Sequence, residues 1–462
     1  MSNHKADRKT LPTLTRRRFL RGVAVTGAAV AAPMYIPASA LGKGGRVAPS
    51  ERIVMGCVGT GGRGTSNMRT FLGNRDVQIV AVCDVERKSS RYYRGRVAGR
   101  DPAKETVEKH YAKGAASGSF KGCDAYSDFR ELLERKDIDA VSVATPDHWH
   151  ALVSIAAANT GKDVYCEKPL ANSVAEGRAI VDAVKRNKRV LQTGSHERSN
   201  PNARYAAELV RNGRIGKLRT VRIQMPCTEP HHRVVKNVKD VPPTEPVPDG
   251  FDFDFWLGHT PEVDYTPSRC HFWWRFILAH GGGEMTDRGA HVIDLAQMCM
   301  DTEDTGPVEI ETAGVQGTGL YDAYMDYEYT NVFANGVRMI GTSKGPRGLK
   351  LEGEDGWIFI HVHGCKLEAG PKSLLSEKIG EDEIRLGRTT SHHRNFLDCV
   401  RSRRQPHAHA EVGHRSASIC HLNNIALKVG RKLKWDPASE TVTGDAKANS
   451  MLSPKMRAPW TI

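Results

Sequence analysis

The sequence lacks any apolar run long enough to cross a membrane. Its most apolar stretch near the N-terminus, residues 22–36, consists largely of small residues and is interrupted by Pro33. A transmembrane helix needs about 20 consecutive apolar residues. We therefore expect no stable membrane span.

Regular cysteine spacing is missing as well. The 462 residues include ten cysteines but no CxxC pair, so the spacing favours neither a disulfide framework nor a zinc-binding pair of thiols. Cys57 and Cys83 fall inside predicted core strands, and Cys166 ends another. We expect mostly free, buried cysteines.

Histidine groups with metal-ligand chemistry lack the fixed spacing that zinc sites show. We therefore expect no bound metal, although two groups have suitable donor atoms. They are His407, His409, Glu411 and His414, and the pair His361 and His363 on one strand face.

A concentrated block of positive charge is also absent from most of the chain. The net charge is +14 at pH 7, and the first forty residues hold seven Lys or Arg and one Asp, which leaves near +8 for the rest. Spread over the remaining chain, this charge is typical of a solvated surface and not of a nucleic-acid footprint. We expect no nucleic-acid partner.

The N-terminus does contain the pattern of an export signal. Arg16 and Arg17 precede the short apolar stretch, and an A-x-A sequence follows it at residues 38–40. This order predicts a removable twin-arginine signal peptide over residues 1–40. Because twin-arginine substrates are exported folded, we expect the translocase as a transient partner and a periplasmic or extracytoplasmic location.

Residues 50–195 alternate short apolar segments with helical patterns. This alternation predicts an α/β fold whose N-terminal domain is a Rossmann-type, doubly wound parallel sheet. Residues 196–435 change to long loops and runs of alternating apolar residues, which predict an α+β domain with a large, mostly antiparallel open sheet. The tail, residues 436–462, shows no clear periodicity.

A glycine-rich turn follows the first apolar strand of the N-terminal domain. A second apolar run, residues 77–83, then ends at Asp84, twenty residues after the last glycine. Strand, glycine turn, helix, strand and carboxylate in this order are the fingerprint of a dinucleotide site, where the helix N-terminus donates N–H groups to a pyrophosphate. The predicted cofactor contacts of this turn are Gly59, Thr60, Gly61, Gly62, Arg63 and Gly64.

Asp84 also predicts which dinucleotide binds. A carboxylate at this position accepts hydrogen bonds from the adenosine ribose and repels a 2′-phosphate, which favours NAD. Arg87, Lys88 and Arg91 follow and could receive that phosphate. We therefore expect NAD and keep NADP open.

Two loops follow the ends of later parallel strands in the predicted sheet. Ligands of such sheets lie beyond the carboxyl ends of the strands, so we expect both loops to face the cofactor. For the two histidines among them, plain solvation is an equal alternative. The candidate contacts are Thr145, Pro146, His148, His150, Glu167 and Lys168.

Residues 284–300 follow three glycines and have the pattern of an amphipathic helix. Asp287, His291 and Asp294 are spaced i, i+4, i+7 and share one face, while apolar residues cover most of the rest. Taken alone, such a stripe is more often a solvated helix face or a packing histidine than a catalytic site.

Together these motifs resemble the Gfo/Idh/MocA oxidoreductases, over roughly residues 50–435. The resemblance rests on the glycine turn with Asp84, on Glu167-Lys168-Pro169 after a parallel strand, and on the Asp287-x-x-x-His291 helix. It implies that Lys168 reaches the nicotinamide ribose and the substrate hydroxyl, and that His291 takes the hydroxyl proton as hydride leaves.

The resemblance also implies further site residues. Asp287 would orient the imidazole or bind substrate, which makes Lys168, Asp287 and His291 both catalytic and substrate-binding candidates. We add Arg198 and Arg275 as substrate contacts, the latter from the aromatic and basic run at 271–275, which we place with Arg288 at the rim of the substrate pocket.

The function expected from the sequence is NAD(P)-dependent oxidation of a sugar, sugar alcohol or glycoside by hydride transfer. Export of such an enzyme implies that the cofactor is retained and recycled internally. The alternative is a glycosidase that works through ketosugar oxidation, elimination and reduction; a non-catalytic NAD-containing sugar-binding protein is a third reading. The resemblance implies a homo-dimer or homo-tetramer formed through the second domain's sheet.

Overall fold

Short buried strands form the first half of the fold. The computed structural model describes residues 47–115 and 117–462, so the predicted signal peptide lies outside the described residues. Residues 47–52 contain only a 3₁₀ turn, Pro49–Glu51. The strands of the first half are β1 (Ile53–Val58), β2 (Val77–Cys83), β3 (Ser89–Tyr92), β4 (Arg96–Ala98), β5 (Asp124–Tyr126), β6 (Ala140–Val143), β7 (Asp163–Cys166) and β8 (Leu191–Thr193).

Six of these strands make one parallel sheet in the order β5-β2-β1-β6-β7-β8. Strands β3 and β4 form a separate antiparallel hairpin. The predicted Rossmann-type parallel sheet is therefore confirmed, with strand β1 at the position where the chain reverses its direction across the sheet.

Helices pack on both faces of this sheet, because alternate residues of the central strands point to opposite sides. Met55 and Cys57 of β1 join one hydrophobic cluster, and Val58 joins another. The helices are α1 (Gly62–Leu72), α2 (Arg100–Ala112), α3 (Phe129–Glu134), α4 (His150–Asn159) and α5 (Val174–Arg186).

The second half is built on a larger sheet with helices against one face. The helices are α6 (Pro201–Arg211), α7 (Pro230–Asn237), α8 (Phe253–Leu257), α9 (Glu284–Asp287), α10 (Gly289–Met300), α11 (His392–Ser402), α12 (Ala410–Val429) and α13 (Ala446–Ser450). The strands are β9 (Leu218–Gln224), β10 (Pro307–Gln316), β11 (Tyr324–Phe333), β12 (Arg338–Thr342), β13 (Gly348–Gly353), β14 (Trp357–His361), β15 (Leu367–Gly370), β16 (Leu433–Asp436) and β17 (Thr441–Val442).

These nine strands pair in the order β15-β14-β13-β9-β12-β11-β10-β16-β17. Only β9 and β12 run parallel among the described pairs, and the other neighbours are antiparallel. The predicted large, mostly antiparallel sheet is confirmed. Its covered face packs against α10 and α12, whose buried residues include Ile293 and Ile419.

The C-terminal tail is ordered by contacts with both halves. Strand β17 pairs with β16 at the edge of the second sheet. Helix α13 packs beside it, and Trp435, Val442 and Ala448 are buried together in one small cluster. Trp460 then packs edge-on against Trp149 of the first half, with ring centroids 4.9 Å apart. Residues 53–462 thus form one compact unit.

All ten cysteines are free and buried in the structure, as expected from their spacing. Among the described residues, no helix combines the length and the apolar character that a membrane crossing requires.

Candidate active site

The glycine turn after β1 brings α1 against the sheet at very short range. A Cβ on Gly64 would lie 1.8 Å from the carbonyl oxygen of Gly59, and one on Gly59, whose φ is 78°, would lie 2.6 Å from the backbone of Ala144. Only glycine fits at either position. Gly61 is the N-cap residue of α1, so the helix N-terminus opens at this turn.

Asp84 closes the turn from the end of β2. Its carboxylate accepts the Thr60 N–H at 2.7 Å and the Glu86 N–H at 2.9 Å. Burial raises the pKa of this carboxyl, and the backbone N–H groups oppose that shift. The side chain is thereby fixed at the edge of the turn, where a ribose would lie.

The basic residues that could have received a 2′-phosphate lie outside the cavity at this turn. Arg87 is exposed and 4.0 Å from Asp101, and Arg91 lies beside Tyr265 and Glu245. Lys88 is exposed as well. Asp84 and the buried Glu86 line the cavity instead, and these two carboxylates favour NAD over a nucleotide with a 2′-phosphate.

The cavity measures about 420 Å³ and runs from the glycine turn to the second half of the chain. Most of the predicted cofactor contacts line it. They are Gly59, Gly61, Gly62, Arg63, Asp84, Thr145, Pro146, His150, Glu167 and Lys168.

Three predicted cofactor contacts do not line the cavity. Thr60 and Gly64 lie behind the turn and serve its geometry. His148 is fully buried, and its Nε2 lies 2.9 Å from the Trp256 carbonyl oxygen. The prediction that His148 faces the cofactor therefore needs correction, because the 3₁₀ turn Asp147–Trp149 points this side chain into the domain contact.

Glu167 connects the glycine-turn helix to the strand β7 loop. Its carboxylate accepts Arg63 Nε at 2.8 Å and Asn67 Nδ2 at 2.9 Å. Burial alone would raise the pKa of Glu167, but the Arg63 guanidinium holds it well below the usual range. The ionised Glu167 therefore fixes the loop that carries Lys168.

Lys168 meets Asp287 across the two halves of the chain. Its Nζ donates at 2.6 Å to Asp287 Oδ1 and at 2.6 Å to the Asp287 backbone oxygen. Burial opposes ionisation of Asp287, but the Lys168 ammonium and the Arg275 guanidinium hold its pKa well below the usual range. Asp287 thus positions Lys168 and Arg275 and is not bonded to His291.

His291 lines the same cavity from helix α10, and its side chain is buried. Burial lowers its pKa well below the usual value, and the nearby Lys168 ammonium and the imidazoles of His196 and His363 lower it further. The imidazole is therefore neutral at neutral pH, which is the form that a general base needs.

Asp294, the third residue of the predicted polar stripe, does not line the cavity. Arg288 separates α9 from α10, and Asp294 is buried against Arg198 and the Ser416 hydroxyl. Arg198 also pairs with Glu303 and is 2% exposed. The structure therefore does not support the prediction that Arg198 contacts the substrate, because its guanidinium lies outside the cavity and forms ion pairs with Asp294 and Glu303.

The aromatic run before the triple glycine does reach the site. Trp274 and Arg275 line the cavity, and the Arg275 guanidinium lies 4.4 Å from the Trp274 ring centroid. Arg288 does not reach it: it pairs with Glu229 at 2.8 Å and with Glu284 at 3.3 Å.

Sequence reasoning missed several residues that line the cavity. Tyr92 comes from the β3–β4 hairpin, where its ring would meet a Cβ on Gly61 at 2.7 Å. Asp147 follows Pro146 directly, and burial raises the pKa of its carboxyl well above the usual range. His196 and His363 come from distant parts of the sequence. The sequence singled out His363 only as a possible metal ligand with His361, and it did not single out His196.

Several members of the histidine groups considered for metal binding from the sequence pair with other side chains. Glu411 pairs with Arg178 and Arg415, and His414 lies 2.7 Å from Glu440. His361 pairs with Glu368 on the strand, whereas His363 turns into the cavity.

Comparison with known proteins gives two adjoining family matches. Residues 53–195 match the oxidoreductase family NAD-binding Rossmann fold, and residues 200–462 match the oxidoreductase family C-terminal alpha/beta domain of the GFO_IDH_MocA series. The chain belongs to the Gfo/Idh/MocA oxidoreductase family. The NAD-binding character of the first domain and the oxidoreductase assignment are confirmed.

Curated relatives match part of the chain. A levoglucosan dehydrogenase of Pseudarthrobacter phenanthrenivorans is 40% identical over 96 residues, 21% of this chain and 25% of that protein. An alpha-N-acetylgalactosaminidase of Shewanella oneidensis is 31% identical over 215 residues, 44% of each chain. This chain thus spans less than half the length of these relatives.

The same fold occurs in solved structures. The WlbA dehydrogenase of Bordetella pertussis, in complex with NADH and UDP-GlcNAcA, has a TM-score of 0.57 and 16% identity, over 83% of this chain and 99% of that one. At this identity the likeness concerns the fold alone.

Proposed function

We propose that this member of the family transfers hydride between bound NAD and a hydroxyl-bearing carbon of a sugar, sugar alcohol or glycoside. The observation that carries the proposal is the convergence of Lys168, Asp287 and His291 in the cavity that begins at the glycine turn. A neutral imidazole can accept the hydroxyl proton, and the Lys168 ammonium can stabilise the developing alkoxide.

NAD supplies the hydride acceptor when bound, and the protein holds it through the groups at the turn. The N-terminus of α1 would hold the pyrophosphate and Asp84 with Glu86 would hold the ribose, while Trp149 and His150 line the cavity beyond Thr145. The second half of the chain would enclose the reacting end, since Trp274 and Arg275 line the cavity and Arg275 Nε lies 3.4 Å from Asp287 Oδ1.

The decisive experiment is a single turnover of the protein as purified, without added nucleotide. Mass spectrometry should find NAD in the folded protein, and a panel of sugars, sugar alcohols and glycosides should include one that produces the absorbance of reduced nicotinamide. Protein that contains no NAD, or whose bound NAD no member of the panel reduces, would count against the proposal.

Cofactor retention and internal recycling form the second part of the proposal. We infer them from the predicted export signal, since an enzyme outside the cytoplasm has no obvious supply of free NAD. The expected sign is repeated turnover of substrate pairs with no nucleotide in the buffer. Strict dependence on added NAD after the first turnover would contradict it.

Folded export by the twin-arginine route is likewise our proposal, supported by Arg16, Arg17 and the apolar stretch that follows. Replacing both arginines by lysine should leave folded, NAD-loaded protein in the cytoplasm. Undiminished export of that double variant would contradict the assignment.

The glycosidase cycle remains the second candidate, and the similarity to an alpha-N-acetylgalactosaminidase favours it. In such a cycle, oxidation to a ketosugar would acidify the neighbouring C–H bond, and elimination would release the aglycone as an alcohol and leave an unsaturated ketone. Water would then add to the double bond, and return of the hydride to the ketone would restore the sugar and the oxidised cofactor. In D₂O this cycle places deuterium on the carbon next to the oxidised one. Simple hydride transfer leaves that carbon unlabelled, so product analysis separates the two candidates.

We also propose assembly into a dimer or tetramer through the open face of the nine-stranded sheet. That face carries exposed side chains, including Val315, which is 68% exposed. Light scattering should give a mass of two or four chains, and Val315→Glu should shift it towards the monomer. A monomeric mass at all concentrations would contradict the proposal.

A further inference from the structure

A second cluster of polar side chains lies beside His291. His196 and Glu197 belong to the 3₁₀ turn His196–Ser199 after β8, and His363 belongs to the turn between β14 and β15. Glu197 Oε1 is 3.5 Å from His196 Nε2 and 3.3 Å from His363 Nδ1. Ligands about 2.1 Å from a tetrahedral metal ion are separated by about 3.4 Å, so these separations match a shared cation.

The charge of Glu197 points the same way. Its side chain is 4% exposed, and the ion-pair partners that the described residues give it are the two histidines alone. Cys365 Sγ donates to its other oxygen at 2.9 Å. A buried carboxylate is costly unless a cation offsets its desolvation, and here no arginine or lysine of the described chain does so.

A comparable cluster elsewhere shows the difference. His231, His232 and Glu284 also bring suitable donor atoms together, and all three are buried. There, however, Arg288 Nε lies 3.3 Å from Glu284, so a positive charge is already present. That cluster has the character of a structural ion pair.

The cluster around Glu197 is also accessible. His196 and His363 line the 420 Å³ cavity and a neighbouring cavity of about 530 Å³. His363 has a φ of 67°, a conformation that costs a non-glycine residue energy and that clusters at functional sites. The turn directs its imidazole towards His291, with ring centroids 5.9 Å apart, and the His196 ring is 4.8 Å from His291.

We propose that His196, Glu197 and His363 bind a divalent cation of the Zn²⁺, Co²⁺ or Mn²⁺ class. Two imidazoles and one carboxylate are a donor set that catalytic zinc sites use, with a further position left open for water or substrate. The cluster borders the cavity through His196 and His363, and Nδ1 of the neighbouring, buried His291 has no hydrogen-bond partner among the described residues.

The chemical role of the ion follows from its place. Next to His291, a cation would polarise a substrate oxygen and disfavour protonation of the imidazole. This role rests on the proposed hydride transfer, whereas binding of the ion does not. A protein that binds the ion but never reduces NAD would therefore separate the two proposals.

The test is titration of chelator-treated, full-length protein with Co²⁺. Binding is measured by calorimetry and by the visible absorption of the bound ion, and Zn²⁺ serves as the competing ion. Wild type should bind one Co²⁺ per chain and exchange it for Zn²⁺.

Variants decide whether these residues are the ligands. Substitution of a residue that only supports a metal ligand lowers metal affinity by about 10- to 100-fold. Glu197→Gln and His363→Asn each remove a proposed ligand, so each should lower the affinity for Co²⁺ by more than that. Asparagine tolerates the left-handed backbone, and the His363 side chain is 44% exposed, so His363→Asn decides the matter even if Glu197→Gln fails to fold.

His361→Asn is the matched control, because His361, at the end of β14, pairs with Glu368 of the neighbouring strand β15 and lies outside both cavities. It should bind Co²⁺ as wild type does. Absence of saturable Co²⁺ binding by wild type, or binding that His363→Asn leaves unchanged, would overturn the proposal.

Discussion

Single residues decide the chemistry at the meeting point of the two domains. Lys168 is held at 2.6 Å by Asp287, and His291 stands free of both. This arrangement separates the roles: the ammonium is positioned by a carboxylate, while the imidazole is kept neutral by burial and by neighbouring positive charge.

The first prediction concerns His291. His291→Ala should keep its NAD and melt close to wild type, yet lose about 10² to 10⁴ in the rate of single-turnover reduction of bound NAD, because a general base is missing. High pH should restore part of the rate as water replaces the base. Lys168→Ala should lose the rate without such rescue.

The same residue sets the expected pH dependence in wild type. Because the pKa of His291 is lowered, the imidazole stays unprotonated as the pH falls through 6.5, the ordinary value. The single-turnover rate should therefore persist below pH 6.5. Normal turnover by His291→Ala would assign this histidine to packing.

The second prediction concerns cofactor choice. Asp84 and Glu86 line the cavity while Arg87 lies outside it, so Asp84→Ala should weaken NAD binding and improve the relative binding of NADP. His361→Asn, whose side chain lies outside the cavity, is a suitable control. Calorimetric titration with both nucleotides measures the ratio; wild-type preference for NADP would contradict this account of Asp84.

At the scale of helices and strands, buried elements were the ones that the sequence predicted. Strands β1, β2 and β7 match the strands that the sequence predicts at residues 53–58, 77–83 and 163–166, because each of them is a short, almost uninterrupted apolar run. The β3–β4 hairpin and α2 were not predicted. Strand β3 is Ser-Ser-Arg-Tyr, half of it exposed, and it is held by contacts such as Tyr92 with His271, 4.6 Å between ring centroids.

The third prediction tests the glycine turn with a matched pair. Gly64→Ala would force a Cβ to within 1.8 Å of the Gly59 oxygen, so α1 must move; a Cβ on Gly62 meets nothing within 4 Å. Gly64→Ala should lower the melting temperature and lose bound NAD, while Gly62→Ala keeps the melting temperature. Equal melting temperatures for the two variants would show that α1 does not pack as closely as described.

At the scale of the whole molecule, the site is assembled from segments that are far apart in sequence. Local patterns identified Lys168 and His291 separately, and the resemblance to a family joined them. Local patterns did not show that His196 and His363 lie close together, since this depends on how the turn after β14 packs against the end of β8. They also misplaced Arg198, whose partners Asp294 and Glu303 lie on and after helix α10.

The last prediction concerns the stability of the whole chain at acid pH, and it follows from its buried histidines. Burial lowers the pKa of His148 to about 3 and that of His392 to about 3, whereas the unfolded value is about 6.5. As the pH falls below 6.5, the unfolded state binds protons that the folded state does not bind. Each such histidine therefore lowers the free energy of unfolding by up to about 1.4 kcal/mol per pH unit.

Urea unfolding at pH 7.5, 6.5 and 5.5 should show that the free energy of unfolding falls as the pH falls. His392→Gln should reduce the slope by about one proton, and His110→Gln, at an exposed position on α2, should leave it unchanged. Because paired carboxylates such as Glu440, with a pKa of about 2, lose their contribution only below the unfolded value of about 4.3, a stability that is flat between pH 7.5 and 5.5 would mean that the buried histidines accept protons in the folded state.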